Sequence, residues 1–306
     1  MLKLTDFEIE SYTSENCKNV YDFIENYNQF YYIPFDYFKR ATLDDPGHDN
    51  DLNLVFKEKG SSKLIAVFLS TLRVLDNIKK CFIKVFLIAK EFRRKGLGSV
   101  ILDQMIRILK EKGIPILSYG ASAPIYWEPG LDLRHTDLYF FLKKHKFREK
   151  GLRYNLTIEL DKLHLEPKKR INHYEFMRAS PEDLQELYNF VKVNFPSPVW
   201  PEEVKASFDF DPPNTFITKD IDKKIIGWAT HSNFYPGSFG PTGVLPILWR
   251  KGIGKELLYW CLHDIKKKGL DISTIMWVDG DTRKFYSKAT GAYIHPIYSV
   301  LEKKIK

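Results

Sequence analysis

Two short, basic, glycine-punctuated stretches are the places in this chain where residue type and spacing point to chemistry. One reads Arg93-Arg94-Lys95-Gly96-Leu97-Gly98-Ser99 and the other Trp249-Arg250-Lys251-Gly252-Ile253-Gly254-Lys255, with Gly96 and Gly252 separated by 156 positions. Each follows a strand-like run, ending at Ile88 or Val244, and each opens a segment with helical spacing. Such a loop can cradle a phosphate. Glycine lets the backbone approach an anion closely, the first N–H groups of the helix point at it, and the positive end of the helix dipole adds to the attraction.

The elements that must hold these loops occur twice, in the same order. In the first copy Phe7 to Tyr12 alternates as a strand, and helical stretches follow near Cys17–Tyr27 and Pro34–Ala41. Leu52–Glu58, Lys63–Val74 and Lys80–Ile88 read as strands, with turn-formers Lys59-Gly60-Ser61-Ser62 and Asp76-Asn77 between them. After the loop, Leu97, Ile101, Met105, Ile108 and Leu109 share one helical face up to Gly113. Ile114–Tyr119 is then a strand, Thr136–His145 a helix and Arg153–Leu160 a strand. The second copy runs from a strand at Tyr174–Ala179 and a helix start at Ser180-Pro181-Glu182-Asp183 to strands at Thr215–Thr218, Lys224–Ser232 and Gly240–Val244. The helical stripe Ile253, Leu257, Cys261, Ile265, the strand Ile272–Val278, the helix Asp281–Ala289 and the strand Ile294–Glu302 complete it. The pattern predicts an α/β (α+β) fold, two domains each with a mixed central sheet flanked by helices. Residues 161–171, with Pro167-Lys168-Lys169-Arg170, are polar and ill-suited to regular structure, so the expected division is 1–160, a linker at 161–171, and 172–306.

Composition is compatible with this division. The chain has 306 residues, enough for two domains that each bury a core. Its net charge of +8 leaves polyphosphate, nucleic acid and anionic membrane as partners. Much of the excess lies in clusters at helix ends and at the tail, such as Lys266-Lys267-Lys268 and Lys303-Lys304-Ile305-Lys306, where it complements helix dipoles and solvates the surface, so neither nucleic acid nor membrane is an expected partner. Cys17, Cys81 and Cys261 have no metal-ligand spacing and suggest a reducing compartment; no metal is expected. Met1-Leu2-Lys3-Leu4 is not followed by an apolar stretch, and no run approaches the length of a membrane span, so the expected location is cytoplasmic.

The loops in this setting resemble the cofactor motif of the GNAT superfamily of acyl-CoA-dependent N-acetyltransferases: Arg or Gln, two residues, Gly, one residue, then Gly or Ala, between a central strand and a long helix. Arg93, Gly96 and Gly98 match it completely, behind the lead-in Ile88-Ala89-Lys90-Glu91-Phe92. Val244-Leu245-Pro246 and Gly252-Ile253-Gly254 fit in the second copy, where Trp249 stands at the Arg or Gln position. The resemblance covers most of the chain as two successive domains, and the arrangement is similar to that of the tandem GNAT proteins of bacteria, of which mycothiol synthase is one type. It implies that Arg93, Arg94, Lys95, Gly96, Leu97, Gly98 and Ser99, with Arg250, Lys251, Gly252, Ile253, Gly254 and Lys255, bind the pyrophosphate of acetyl-CoA. It also implies that the strand ends at Ile88 and Val244 splay from their neighbours and offer backbone N–H groups to the acyl carbonyl. In the family an aromatic-Tyr pair on the last helix places a phenol near the thioester sulfur. Here that pair is Phe285-Tyr286, and its first-copy counterpart reads Phe140-Phe141. A phenol stays protonated at neutral pH and suits the departing thiolate, so Tyr286 is the implied catalytic residue.

Other candidates admit two readings each. His231 is either a base or a packed strand residue, and Asp279 either neighbours the cofactor or starts a helix. Within Pro124–Asp132, Glu128 and Asp132 either meet a cationic amine or belong to a rigid aromatic turn. The function expected is transfer of an acetyl group to a primary amine of a small molecule or peptide, by direct attack on the thioester, with chemistry in the second copy. The alternative is a non-catalytic acyl-CoA-binding or sensing protein, since each copy lacks one element of the pattern. An aminoacyl transferase acting on peptidoglycan precursors would share the fold, but no inserted coiled-coil stretch is present.

Overall fold

The computed structural model describes residues 4–27, 30, 32–75 and 77–305. Met1-Leu2-Lys3, Asp76 of the predicted Asp76-Asn77 turn and Lys306 of the basic tail lie outside the described residues. The chain forms two compact units, Met1–Ser122 with Tyr126–Leu152 and Tyr298–Lys306, and Ala123–Ile125 with Arg153–Ile297.

The first unit contains β1 (Phe7–Ser11), α1 (Cys17–Glu25), α2 (Phe35–Ala41), β2 (Leu54–Glu58), β3 (Leu64–Leu75), β4 (Ile78–Ile88), α3 (Leu97–Glu111), β5 (Ile116–Tyr119), β6 (Leu131–Asp132) and α4 (Thr136–Lys144). A strand crossing the boundary, β7 (Arg148–Glu159), leads into the second unit. There follow β8 (Arg170–Ile171), β9 (Tyr174–Arg178), α5 (Leu184–Asn194), α6 (Trp200–Ala206), β10 (Thr215–Lys219), β11 (Ile225–His231), β12 (Ser238–Val244), α7 (Ile253–Lys267), β13 (Ile272–Ile275), α8 (Thr282–Thr290) and β14 (Tyr293–Lys304).

The strand order in the first unit is β1-β2-β3-β4-β5-β14, and in the second β7-β13-β12-β11-β10-β9-β8. β4–β5 and β12–β13 are parallel within otherwise antiparallel neighbours. The two units do not follow the expected division at 161–171. Leu156–Glu159 ladders onto Ile272–Ile275 and so belongs to the second unit, while Leu301–Lys304 ladders onto Ile116–Tyr119 and belongs to the first. Each unit thus takes its last strand from the other half of the sequence, because a strand is held by its ladder partner rather than by its place in the chain. The segment expected to be irregular also gains structure. Asn172, with φ of 53°, turns the chain so that Arg170 and Ile171 pair with Glu175 and Tyr174.

The cores explain why the loops sit where they do. Leu97, Ile101, Leu102, Met105 and Leu109 are buried on one face of α3, and Gly113, at φ 64°, ends that helix. On α7 the same stripe is Ile253, Leu257, Leu258, Cys261, Leu262 and Ile265. In the second sheet, Phe216, Ile226 and Phe239 join the α7 core, while Ile217, Ile225 and Trp228 join a core with Leu187, Val191 and Val204 of α5 and α6. Neighbouring residues of β10 go to different cores, so α7 and the α5–α6 pair cover opposite faces.

Candidate active site

In both units the parallel ladder stops early. β4 and β5 are paired up to Ile83 and Tyr119, and β12 and β13 up to Phe239 and Ile275, five residues short of Ile88 and of Val244 respectively. The cause is on the other edge of each strand. The β3–β4 register shifts between Leu69 and Ser70, leaving Lys84 as the extra residue, and the β11–β12 register shifts between Ala229 and His231, opposite Gly240 and Pro241. A bulge bends its strand and raises its twist, so the strand leaves its parallel neighbour at that point. Val85–Ile88 and Thr242–Val244 therefore keep ladder partners on one side only, and Lys84, Gly240 and Pro241 at the bulges have none.

Past the splay the two glycine loops are near copies. Arg94 and Arg250 have φ of 62° and 64°, and the helix caps Gly96 and Gly252 have φ of 90° and 86°, a left-handed turn that aims the first N–H groups of α3 and α7 outward. Arg93, Arg94, Lys95 and Gly96 are exposed, as are Arg250, Lys251, Gly252 and Lys255, whereas Leu97 and Ile253 point into the cores. The residue at the motif's first position does the same structural job in both. Arg93 Nε donates to the Ile88 carbonyl at 2.7 Å, and Trp249 Nε1 donates to the Val244 carbonyl at 2.9 Å. The indole ties the loop back to the strand end as the guanidinium does, and carries no charge to an anion. At the next helical positions Ser99 meets His145 Nε2 at 2.9 Å, while Lys255 lies over the Tyr259 ring.

The second glycine of each loop is under different pressure. A Cβ on Gly98 would meet Ile88 Cδ1 and the Phe141 ring at 3.2 Å, and one on Gly254 would meet Val244 Cγ2 and Phe285 Cζ at 3.8 and 3.9 Å. These contacts also correct the expected correspondence of the last helices. Phe141, not Phe140, stands against its loop glycine as Phe285 does, so the residue opposite Tyr286 is Leu142, buried as Tyr286 is. The first unit still has no phenol there. Tyr286 sits in the α7 core, edge-on to Phe239 at the last paired position of β12. Burial first, then the neighbouring Cys261, pushes its hydroxyl above the ordinary range, so it stays protonated.

Other expected candidates are engaged elsewhere. His231 is fully buried with Nε2 3.1 Å from Asp264 Oδ2, off the line of a hydrogen bond. Burial pushes its ring towards the neutral form against the pull of Asp264, and it packs on Phe216. Asp279 is exposed, and its carbonyl takes the Thr282 hydroxyl at the start of α8. Asp132 is held by Arg134, and Trp127 packs against Phe38 of α2, so that stretch is a packed turn.

Two further buried features belong to the splayed strands β4 and β12 or to an element packed on them. In the first unit Lys84, the bulge residue, donates to Asp45 at 2.6 Å, and Asp45 also takes Arg73 at 2.6 Å and the Thr71 hydroxyl at 2.6 Å. Burial alone raises Asp45, but Arg73 and Lys84 outweigh it and hold the carboxyl well below the usual range. A lysine inside the apolar run Cys81–Phe86 was the available signal. In the second unit Glu203, on α6, is buried, and its carboxyl has no hydrogen-bond or ion-pair partner among the described residues. Burial alone pushes it up to about 8. Its helix was legible only from Pro201 followed by Glu202 and Glu203, a first-turn signature.

Comparison with known proteins agrees with this architecture. Residues 20–123 and 182–292 match the acetyltransferase (GNAT) family. No curated protein sequence matches significantly. Among solved structures, the GCN5-related glucosamine N-acetyltransferase region of a fungal multi-domain GH3 β-N-acetylglucosaminidase superposes with a TM-score of 0.77 at 17% identity; the match covers 97% of this chain and 38% of that one. A GCN5-related N-acetyltransferase from Sphaerobacter thermophilus gives 0.70 at 16% identity, covering 100% and 98% of the two chains. A tandem GNAT protein from the clavulanic acid biosynthesis pathway gives 0.73 at 11%, covering 98% and 99%. With the family matched in both halves and the splayed strand and glycine loop present in each unit, the chain belongs to the acetyltransferase (GNAT) family of acyltransferases, with two GNAT-like repeats in tandem.

Proposed function

We propose that this chain transfers an acetyl group from acetyl-CoA to a primary amine of a small molecule or peptide, that the reaction takes place in the second unit, and that the first unit binds CoA without turning it over. The observation carrying this reading is a phenol placed, in one unit only, directly after the aromatic that meets the loop glycine beside a splayed strand: Tyr286 follows Phe285 against the second loop, where the first unit has Leu142. The first unit's Tyr119 and Tyr139 lie elsewhere, the one at the end of β5 and the other bonded to Glu149. The loop N–H groups with Arg250, Lys251 and Lys255 would hold the pyrophosphate, and the one-sided stretch Thr242–Val244 would orient the thioester. The amine attacks the thioester carbonyl carbon, the C–N bond forms, and collapse breaks the C–S bond. Tyr286 gives its proton to the thiolate and is restored by the proton leaving the nitrogen.

A second reading, a protein that binds acyl-CoA without catalysis, is supported by Trp249, which removes one positive charge from the second cradle. A CoA-release assay against amines, polyamines, amino acids, aminoglycosides and peptides separates the two. Turnover with any of them is the expected result, and binding of acetyl-CoA with no turnover across the panel would favour the second reading. A cytoplasmic location is part of the same proposal; among the described residues no helix is long and apolar enough to cross a membrane.

A further inference from the structure

We propose that Glu203 is the carboxylate that receives the acceptor's ammonium group in the second unit and removes its proton. The proposal rests on the reading that the second unit carries out acyl transfer. Its first support is the isolation of the group. Glu203 is 4% exposed, and neither a donor nor a cation among the described residues meets its carboxyl. Burial alone accounts for its raised pKa, and its neighbour Glu202 is turned outward to the Tyr188 hydroxyl. Other buried acids are satisfied: Asp45 by Lys84 and Arg73, Asp132 by Arg134, and Glu256 by the Lys168 amide. The Glu203 carboxyl oxygens are not among the sealed, unpartnered polar atoms of the described residues, so they keep a narrow opening to solvent. A carboxylate so little exposed and without a protein partner is costly, and a cationic ligand supplies the partner it lacks.

The second support is position. α6 packs against β12, the strand that splays, and the Glu203 carbonyl takes the Asn233 side chain from the turn leading into β12 at 2.9 Å. Glu203 thus belongs to the α5–α6 face of the second sheet and Tyr286 to the α7 face. A base on one face and an acid on the other suit a reaction whose nucleophile and leaving group flank the same carbonyl. In the first unit Lys84, the bulge residue of β4, is closed by Asp45 and also donates to the Ala41 carbonyl at the end of α2. The proton balance is complete. One ammonium proton passes to Glu203 and then to water, the freed lone pair forms the C–N bond, and the second proton replaces the one Tyr286 gives to sulfur.

The test is steady-state CoA release by the full chain with glucosamine, putrescine, lysine and a lysine-containing peptide, for the wild type and E203Q. Expected is a fall in kcat/KM of roughly 100- to 10,000-fold in E203Q with CoA affinity unchanged. Because only the ionised carboxylate accepts a proton, the wild-type rate should rise with pH through about 8. That limb should keep its place across acceptors of different basicity and vanish in E203Q. A wild-type rate and profile in E203Q overturns the proposal and leaves the acetyltransferase reading standing; absence of turnover by the wild type with every amine overturns both. Should E203Q fail to fold, E203D decides: a lowered rate with the limb retained supports the proposal, and a wild-type rate without a limb near 8 overturns it.

Discussion

The first and second units carry the same splayed strand and the same glycine loop, and they differ at three posts around it. At the loop's tie to the strand the first unit has Arg93 and the second Trp249; on the last helix the first has Leu142 and the second Tyr286. Against the splayed strand the first has the closed Asp45–Lys84 pair and the second, on α6, the Glu203 carboxyl without an ion-pair partner among the described residues. The first post teaches that a loop's shape and its charge are separable. Both side chains donate one N–H to the strand-end carbonyl, and only the guanidinium adds a positive charge. The other two posts point the same way. Each loop carries three cations, Arg93, Arg94 and Lys95 in the first and Arg250, Lys251 and Lys255 in the second; the first unit closes the Asp45 carboxyl with ion pairs, while the second leaves the Glu203 carboxyl without one among the described residues.

Changes at these posts should have effects of different size and sign. The largest is expected from Asp45→Asn, which leaves Lys84 and Arg73 buried without their counter-ion. About 3–5 kcal/mol of stability should be lost near neutral pH in denaturant unfolding. Because Asp45 is held below its ordinary value of 3.8, the difference from wild type should shrink as pH falls through that value and below it. Glu203→Gln has the opposite sign. The native carboxyl sits near 8 against an ordinary 4.5, so the wild type loses stability as pH rises between those values. The variant should melt higher, by a margin that grows over that range to roughly 4–5 kcal/mol. A margin independent of pH would mean that the carboxyl is not isolated.

A smaller effect separates the loop glycines. Gly98→Val forces methyl groups into space already filled by Ile88 and Phe141, so about 1–3 kcal/mol should be lost together with CoA binding to the first unit. Gly254→Val meets looser surroundings, and calorimetry should show the weaker loss. The smallest change, Trp249→Arg, keeps an N–H for Val244 and adds a charge at an exposed helix N-terminus. It should tighten CoA binding to the second unit by ~0.3–1 kcal/mol, about 2- to 5-fold, and less at high salt.

Much of this was legible in the sequence where a local rule dictates geometry. The loops at Gly96 and Gly252 were legible as the points where a basic stretch enters an apolar helical stripe; that both glycines are left-handed caps is what the structure adds. Strand exchange was not legible, since Arg153–Leu160 and Ile294–Glu302 are both well-patterned strands and nothing within them says which sheet they join. The one-residue offset between Phe140-Phe141 and Phe285-Tyr286 is a question of helix phase, settled by contact with Gly98 and Gly254. Glu203 was hidden for a different reason: an acid in the first turn of a short helix reads as an exposed dipole partner until its burial is seen.

The central claim is that acyl transfer occurs in the second unit with Tyr286 as the acid. Tyr286→Phe keeps the ring in the α7 core and deletes the hydroxyl, so CoA release should fall by roughly 10- to 1,000-fold while calorimetry shows CoA affinity little changed. Wild-type turnover in Tyr286→Phe, with turnover lost in Gly98→Val, would contradict the account and place the chemistry in the first unit.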